Sequence, residues 1–223
     1  LPTKDPRRRA HRIQKCMGFA FGSMHVALRW MRIVHFNPKE VEGRIPDEPC
    51  VLVSNHPTLM DISSILATEA NLVFPVQASL FQNFWARLMF EAADQRHSPQ
   101  GDPFAVCGVV QVAAERLAQG YRLIIFPEGT RRAPGAPPAY HPGVAALYRE
   151  LNTPVTPVAV NSGLYWRRNA FTKRQGTVIM ELLEPIPSGM DRKSFMRQLE
   201  NRIETATIRL VEEGEQDFRI VRQ

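Results

Sequence analysis

Cysteine is scarce in this chain: Cys16, Cys50 and Cys107 are the full complement in 223 residues, widely separated and with no Cys-x-x-Cys pair among them. That spacing excludes a disulfide framework and a dithiol redox motif, and fits a reduced, cytoplasmic setting. The six histidines include no His-Glu-x-x-His and no Cys/His cluster at zinc spacing, so no metal site is expected. The apolar runs all fall short of the roughly 20 residues of a spanning helix. Neither a secretory signal nor an internal repeat is visible. Basic residues interleaved with stacking aromatics, as an extended nucleic-acid surface would need, are also lacking, so no nucleic-acid partner is expected.

What the chain does have is an ordinary globular interior, with 44% hydrophobic and 22% charged residues, enough for one large domain or a core with a small appendage. Its net charge of +6 is unevenly placed: Lys4, Arg7, Arg8, Arg9, Arg12 and Lys15 stand against the single Asp5 in the first fifteen residues. Such a segment suits either a solvated tail or attraction to anionic lipid headgroups. Residues 16–36, "CMGFAFGSMHVALRWMRIVHF", follow it and read as a helix. Phe19, Val26, Trp30 and Ile33 form one apolar stripe and Met17, Phe21, Met24, Leu28 and Met31 another, with His25, Arg29 and Arg32 on a narrow polar strip. A helix apolar on two sides either wedges against a core or lies in a membrane interface, and the basic flank favours the interface. The expected division is therefore a basic tail and amphipathic membrane-associating helix over residues 1–40 and a domain over 41–223.

Beyond the turn-rich 37–49, apolar runs of strand length alternate with helical segments. "CVLVS", "NLVFPV", "YRLIIF", "VTPVAV" and "TVIMELL" read as strands, with Pro75 confining the second to an edge or an end. "PTLMDISSILATEA", "DPFAVCGVVQVAAERLAQ" with Gly120 as its stop, "VAALYREL", and a closing helix begun by Asp191 as N-cap read as helices. This alternation predicts an α/β fold with a mixed, largely parallel sheet flanked by helices, whose ligands bind at the carboxyl ends of the strands.

Two stretches at such strand ends carry chemistry. In "NHPTLMD", His56 and Asp61 would diverge by about 140° on a regular helix. Pro57, however, belongs in a first helical turn and pushes His56 into extended backbone, so the imidazole can fold back over the helix start towards the carboxylate. An Asp holding Nδ1–H would leave Nε2 free to take a proton from a hydroxyl; a cap residue and a core residue at this spacing is the plainer alternative. In "FPEGTR", Gly129 permits a tight turn, Thr130 offers a hydroxyl, and Arg131 and Arg132 present planar cations suited to phosphate, with Glu128 able to orient an arginine or meet a polyol. The plainer alternative there is a strand-to-loop turn with a surface ion pair. Neither motif holds a Gly-x-Ser-x-Gly nucleophile elbow.

In this order and some seventy residues apart, His-x4-Asp after a short strand and Phe-Pro-Glu-Gly-Thr-Arg after another resemble the PlsC-type glycerolipid acyltransferases, the lysophosphatidic acid acyltransferases. "VTPVAV" is similar to a further block of that family, and the stretch from "FPEGTRR" through "LLEPIPSGMDRKSFMRQLE" looks bacterial. The resemblance covers roughly residues 50–213. It implies His56 as general base, Asp61 as its orienting partner, and Glu128, Gly129, Thr130 and Arg131 as the glycerol-phosphate site, with Arg131 the main phosphate contact. It also implies a lysophospholipid acceptor, lysophosphatidic acid, an acyl-CoA or acyl carrier protein as donor, no metal or bound cofactor, and a place on the cytoplasmic face of the inner membrane. The family's Ile-Asp-Arg-like acceptor block is not found; in its place stands "FEAADQRHSPQGDPFAV", with Arg96 as a loose candidate. A thioester hydrolase using the same pair on water, or a non-catalytic lipid-binding protein, are the alternative readings.

Overall fold

The computed structural model describes residues 5–37, 45–56, 58, 60–68, 71–74, 82–95, 106–129, 136–166 and 173–221. Its strands are β1 (His35–Asn37), β2 (Val51–Ser54), β3 (Leu72–Val73), β4 (Arg122–Ile125), β5 (Val155–Val160) and β6 (Thr177–Leu182). They form one six-stranded sheet in the order β1-β6-β5-β2-β4-β3. Among these strands β5 and β6 pair antiparallel, while β1 with β6, β5 with β2, β2 with β4 and β4 with β3 are parallel. The sheet is thus mixed and largely parallel, and the strand ending before Pro75 is its edge.

Helices α1 (Pro6–Trp30), α2 (Met60–Thr68), α3 (Phe84–Ala92), α4 (Val106–Ala118), α5 (Gly143–Leu151), α6 (Ser162–Tyr165) and α7 (Arg192–Val221) complete the elements of the described residues. Both faces of the central strands are covered, so every residue of β2, β4 and β5 is buried and apolar residues predominate in them. Leu52, Ile124 and Val158 point into one core with α2 and the inner side of α1. Val51, Val53, Leu123 and Ile125 point into the other, with residues of α5 and with Phe195, Leu199 and Ile203 of α7. The closing helix starts as its sequence predicts: Asp191 Oδ1 accepts the backbone N–H of Lys193 and Ser194, each at 3.0 Å. The Ser194 side-chain hydrogen bond foremost, and then the backbone bonds, hold its carboxyl below the usual range.

The N-terminal segment departs from its sequence reading in three respects. The helix begins at Pro6, capped by Asp5 whose carboxylate accepts Arg7 N–H at 3.0 Å, so most of the basic stretch is helical rather than a tail. It ends at Trp30, and Arg32 takes a positive φ of 54°; the next residues leave for β1, which pairs with β6 over a hundred residues away. The long-range strand pairing outweighs the helical period, which in the sequence runs on to Phe36. Nor is His25 on a polar strip. It is buried against α2, where its Nε2–H donates to Ser63 Oγ at 3.1 Å while that hydroxyl donates to Met60 O at 2.8 Å, and its ring stacks on Phe36. Burial pushes its pKa down to about 4, so it is neutral at ordinary pH.

Of the two apolar stripes, Met17, Phe21, Met24 and Leu28 pack on the core. Phe19, Val26 and Trp30 face out. No helix among the described residues is long and apolar enough to cross a membrane.

Candidate active site

The register of the sheet assembles the site. In the β2–β4 pairing Val51 lies opposite Leu123 and Val53 opposite Ile125. Continued past the strand ends, the same offset of 72 residues sets His56 against Glu128, and the backbone N–H of His56 donates to Glu128 Oε2 at 3.3 Å. In the β2–β5 pairing Ser54 lies opposite Val158. The same offset of 104 residues sets Thr58 against Ser162, whose hydroxyls are 3.1 Å apart. Asn55 fastens this second seam as a strand residue would: its side chain donates to Val160 O and accepts Val160 N–H, both at 2.9 Å.

His56 lies before α2 and Asp61 is the second residue of that helix. His56 Nδ1 is 3.1 Å from Asp61 Oδ2. The carboxylate is 1% exposed, and a buried charge requires several donors. It has them: Thr58 N–H at 2.9 Å on Oδ2, the Ser162 hydroxyl on Oδ1, and the Thr58 hydroxyl 3.2 Å from Oδ1. Thr58 Oγ1 also accepts Met60 N–H at 3.0 Å. Thr58-x-x-Asp61 is therefore a capping box, in which the acid that closes the helix start also faces the histidine. An ionised carboxylate only accepts, so Nδ1 carries the proton and Nε2 is left as the basic atom. The ring lies on Phe126, centroids 4.0 Å apart and planes at 25°, and the His56 side chain keeps 12% of its surface exposed.

From "FPEGTR", Phe126 and Glu128 meet His56 as described, and Gly129 takes a φ of 65°, a left-handed turn that glycine adopts without strain. Thr130 and Arg131 lie outside the described residues, as do Pro57, Arg96 and Arg132. Glu128 Oε2 accepts the His56 backbone N–H, and the arginines it could orient lie outside the described residues. Glu128 also adds to the burial and the Glu204 carboxylate that together drive the Tyr140 phenol well above its ordinary pKa. Sequence reasoning missed Ser162, Phe126 and Thr58. The Thr-x-x-Asp spacing could have revealed Thr58; nothing local marks Ser162, 101 residues from the acid it bonds. Among the described residues no group of three or more His, Cys, Asp or Glu could hold a metal ion.

An α/β sheet that carries a His–Asp pair at its strand ends, with the imidazole partly open to solvent and no bond to Nε2 among the described residues, is an arrangement able to take a proton from a hydroxyl or water. The chain belongs to the acyltransferase family, whose pattern matches residues 37–161, both motif strands included. It is 30% identical over 162 residues to a 1-acyl-sn-glycerol-3-phosphate acyltransferase of Pseudomonas aeruginosa, covering 67% of this chain and 60% of that protein. It is 29% identical over 188 residues to a lyso-ornithine lipid O-acyltransferase of the same organism, covering 74% and 70%. A coconut (Cocos nucifera) 1-acyl-sn-glycerol-3-phosphate acyltransferase is 25% identical over 166 residues, covering 73% and 54%. The chain thus spans only a little over half the length of the first and third of these. The fold is that of the crystal structure of the lysophosphatidic acid acyltransferase PlsC from Thermotoga maritima, with a TM-score of 0.71 at 20% identity over 93% of this chain and 83% of that one.

Proposed function

We propose that the protein is a membrane-surface O-acyltransferase that moves a fatty acyl group from an acyl thioester to the free hydroxyl of lysophosphatidic acid, giving phosphatidic acid. The observation that carries this is the His56–Asp61 contact of 3.1 Å beside the "FPEGTR" turn, in a chain whose relatives include 1-acyl-sn-glycerol-3-phosphate acyltransferases. Nε2 of His56 takes the proton of the acceptor hydroxyl as that oxygen attacks the thioester carbonyl of acyl-CoA or an acyl carrier protein. The tetrahedral oxyanion collapses, the C–S bond breaks, and the thiolate leaves with the proton returned from the imidazolium. Atoms and charges balance without an acyl-enzyme, a metal or a bound cofactor. Glu128, Gly129, Thr130 and Arg131 bind the glycerol phosphate, Arg131 pairing with the phosphate in a bidentate manner. The outward face of α1 rests on the cytoplasmic leaflet of the inner membrane, where the acceptor's acyl chain resides.

A second reading concerns the acceptor alone. The lyso-ornithine lipid O-acyltransferase is matched over a larger share of both chains than the other two relatives, and the Ile-Asp-Arg-like block is missing, so a lysolipid without glycerol phosphate is the competing acceptor. Mass spectrometry of the lipid products, with lysophosphatidic acid and lyso-ornithine lipid offered separately against acyl-CoA and acyl carrier protein, decides the matter. Phosphatidic acid is the expected product, and Arg131→Ala should raise KM for the phosphate-bearing acceptor. Free fatty acid without diacyl lipid would identify a hydrolase, and no product from any pair would leave a lipid-binding protein.

A further inference from the structure

The His56 imidazole meets Asp61 at one edge and Phe126 on one face, and the proposed reaction uses only the first of these. Asp61 Oδ2 lies 3.1 Å from Nδ1. The Phe126 ring lies against the imidazole with centroids 4.0 Å apart and planes at 25°. The two contacts constrain different things. A hydrogen bond to one ring atom fixes that atom but tolerates a broad range of angles, so Nε2, on the far side of the ring, could swing through an arc while Nδ1 stayed bonded. A second ring packed on the face holds the plane itself. The plane matters because Nε2 has to meet one hydroxyl, and misplacing a reacting group by about 1 Å costs on the order of 10²-fold in rate.

Phe126 is placed to be a rigid platform. β4 ends at Ile125, yet the strand alternation runs on for one more residue: Leu123 and Ile125 point into the core shared with α5 and α7, Ile124 and Phe126 into the core shared with α2. The Phe126 side chain is buried, in one cluster with Leu52 and Ile124. Its carbonyl accepts the Gly129 N–H at 3.1 Å, and the next carbonyl, that of Pro127, accepts the His141 N–H at 2.7 Å. The backbone that carries the ring is therefore tied within its own turn and to the segment before α5. From the same turn Glu128 Oε2 accepts the His56 backbone N–H at 3.3 Å. The end of β4 thus holds His56 twice, by its ring and by its main chain. An aliphatic side chain at position 126 would fill the space without offering a flat face.

We propose that Phe126 is a positioning residue for the general base: its ring holds the plane of the His56 imidazole so that Nε2, with Nδ1 kept on Asp61, stays aimed at the acceptor hydroxyl. The role rests on His56 being the base, as the proposed function has it, and gives the aromatic residue that opens "FPEGTR" a task separate from acceptor binding.

Phe126→Leu and Phe126→Met keep an apolar side chain and remove the flat face. Each should lose about tenfold to a hundredfold in kcat, with KM for lysophosphatidic acid and for acyl-CoA close to wild type. Phe126→Tyr restores the ring and should recover much of kcat. Ile124→Val lowers stability from the same core and the same strand and should keep wild-type kcat, which separates loss of the platform from loss of stability. Nuclear magnetic resonance of enzyme carrying isotope-labelled histidine, with the His56 signal assigned by its loss in His56→Ala, reads the contact without turnover. The His56 ring protons should lie upfield through the Phe126 ring current and move downfield in Phe126→Leu, where the single tautomer protonated at Nδ1 should give way to an averaged signal. A wild-type enzyme that acylated no lysolipid would overturn the proposed function and still yield this signal, so the two failures are distinguishable. Wild-type kcat in both Phe126→Leu and Phe126→Met would overturn the proposal. So would a kcat loss in Ile124→Val as large as theirs, a rise in acceptor KM at wild-type kcat, or a His56 signal that Phe126→Leu leaves in place.

Discussion

At His56 the environment decides which nitrogen is basic. Asp61 is pinned at both oxygens, by the Thr58 N–H, the Ser162 hydroxyl and the Thr58 hydroxyl, so it cannot swing to follow the ring, and the ring must orient to it. His56→Ala should keep its fold and lose about 10²–10⁴-fold in transferase turnover; single-turnover assay of the purified variant checks this, and near-wild-type rates would remove His56 as the base. Ser162 is buried and its hydroxyl is bonded to Asp61, which makes it a positioning residue for that carboxylate. Ser162→Ala should lower kcat while leaving KM for the acceptor close to wild type, and should cost about 1–3 kcal/mol in urea denaturation, the range for a hydrogen bond to a buried charge. Ser162→Thr, which restores the hydroxyl, should recover much of kcat. The His56–Asp61 contact was legible from its motif; the serine was not, because a hydroxyl distant in sequence carries no local signature.

Among the elements, the seam between α1 and α2 is the most exacting. A Cβ on Gly18 would run into the backbone carbonyl of Leu66, and helix backbone cannot give way as a side-chain tip can. Gly18→Ala should therefore force the helices apart, destabilising the fold by about 1–3 kcal/mol in thermal melts. The same seam titrates. Folded His25 binds its proton only near pH 4 whereas an ordinary imidazole does so near 6.5, the difference arising from burial. The unfolded chain thus takes up more protons in that window, so stability is full above about pH 6.5 and falls as the pH drops towards 4. Urea midpoints measured across that range should show the fall, and His25→Gln should flatten it. Helical period placed most elements correctly here. It failed at residues 31–37, where an edge of the sheet captured the chain, and it could not rank the two stripes of α1, because inward and outward are decided by what lies alongside.

For the whole molecule, the order β5-β2-β4 is the organising fact, since it puts the ends of three strands side by side. Asn55 is the clasp between two of them. Asn55→Ala would leave Val160 N–H and C=O unpaired in a buried position, so a loss of about 2–4 kcal/mol is expected. Because Ser162 follows Val160 by two residues, turnover should drop in parallel; stability and kcat measured on one preparation check both, and a variant that melts early yet works normally would uncouple the clasp from the site.

The sequence by itself determined most of the elements and the chemically able residues: apolar runs of strand length, the proline that pushes His56 into extended backbone, and the two motifs of an acyltransferase. Only the tertiary structure decided their company. Parallel pairing transmits one register along a whole seam, and so fixed offsets between strands bring Glu128 to His56 and Ser162 to Thr58 and Asp61. Such offsets depend on which strands are neighbours, a property of the assembled sheet that no local window of residues contains.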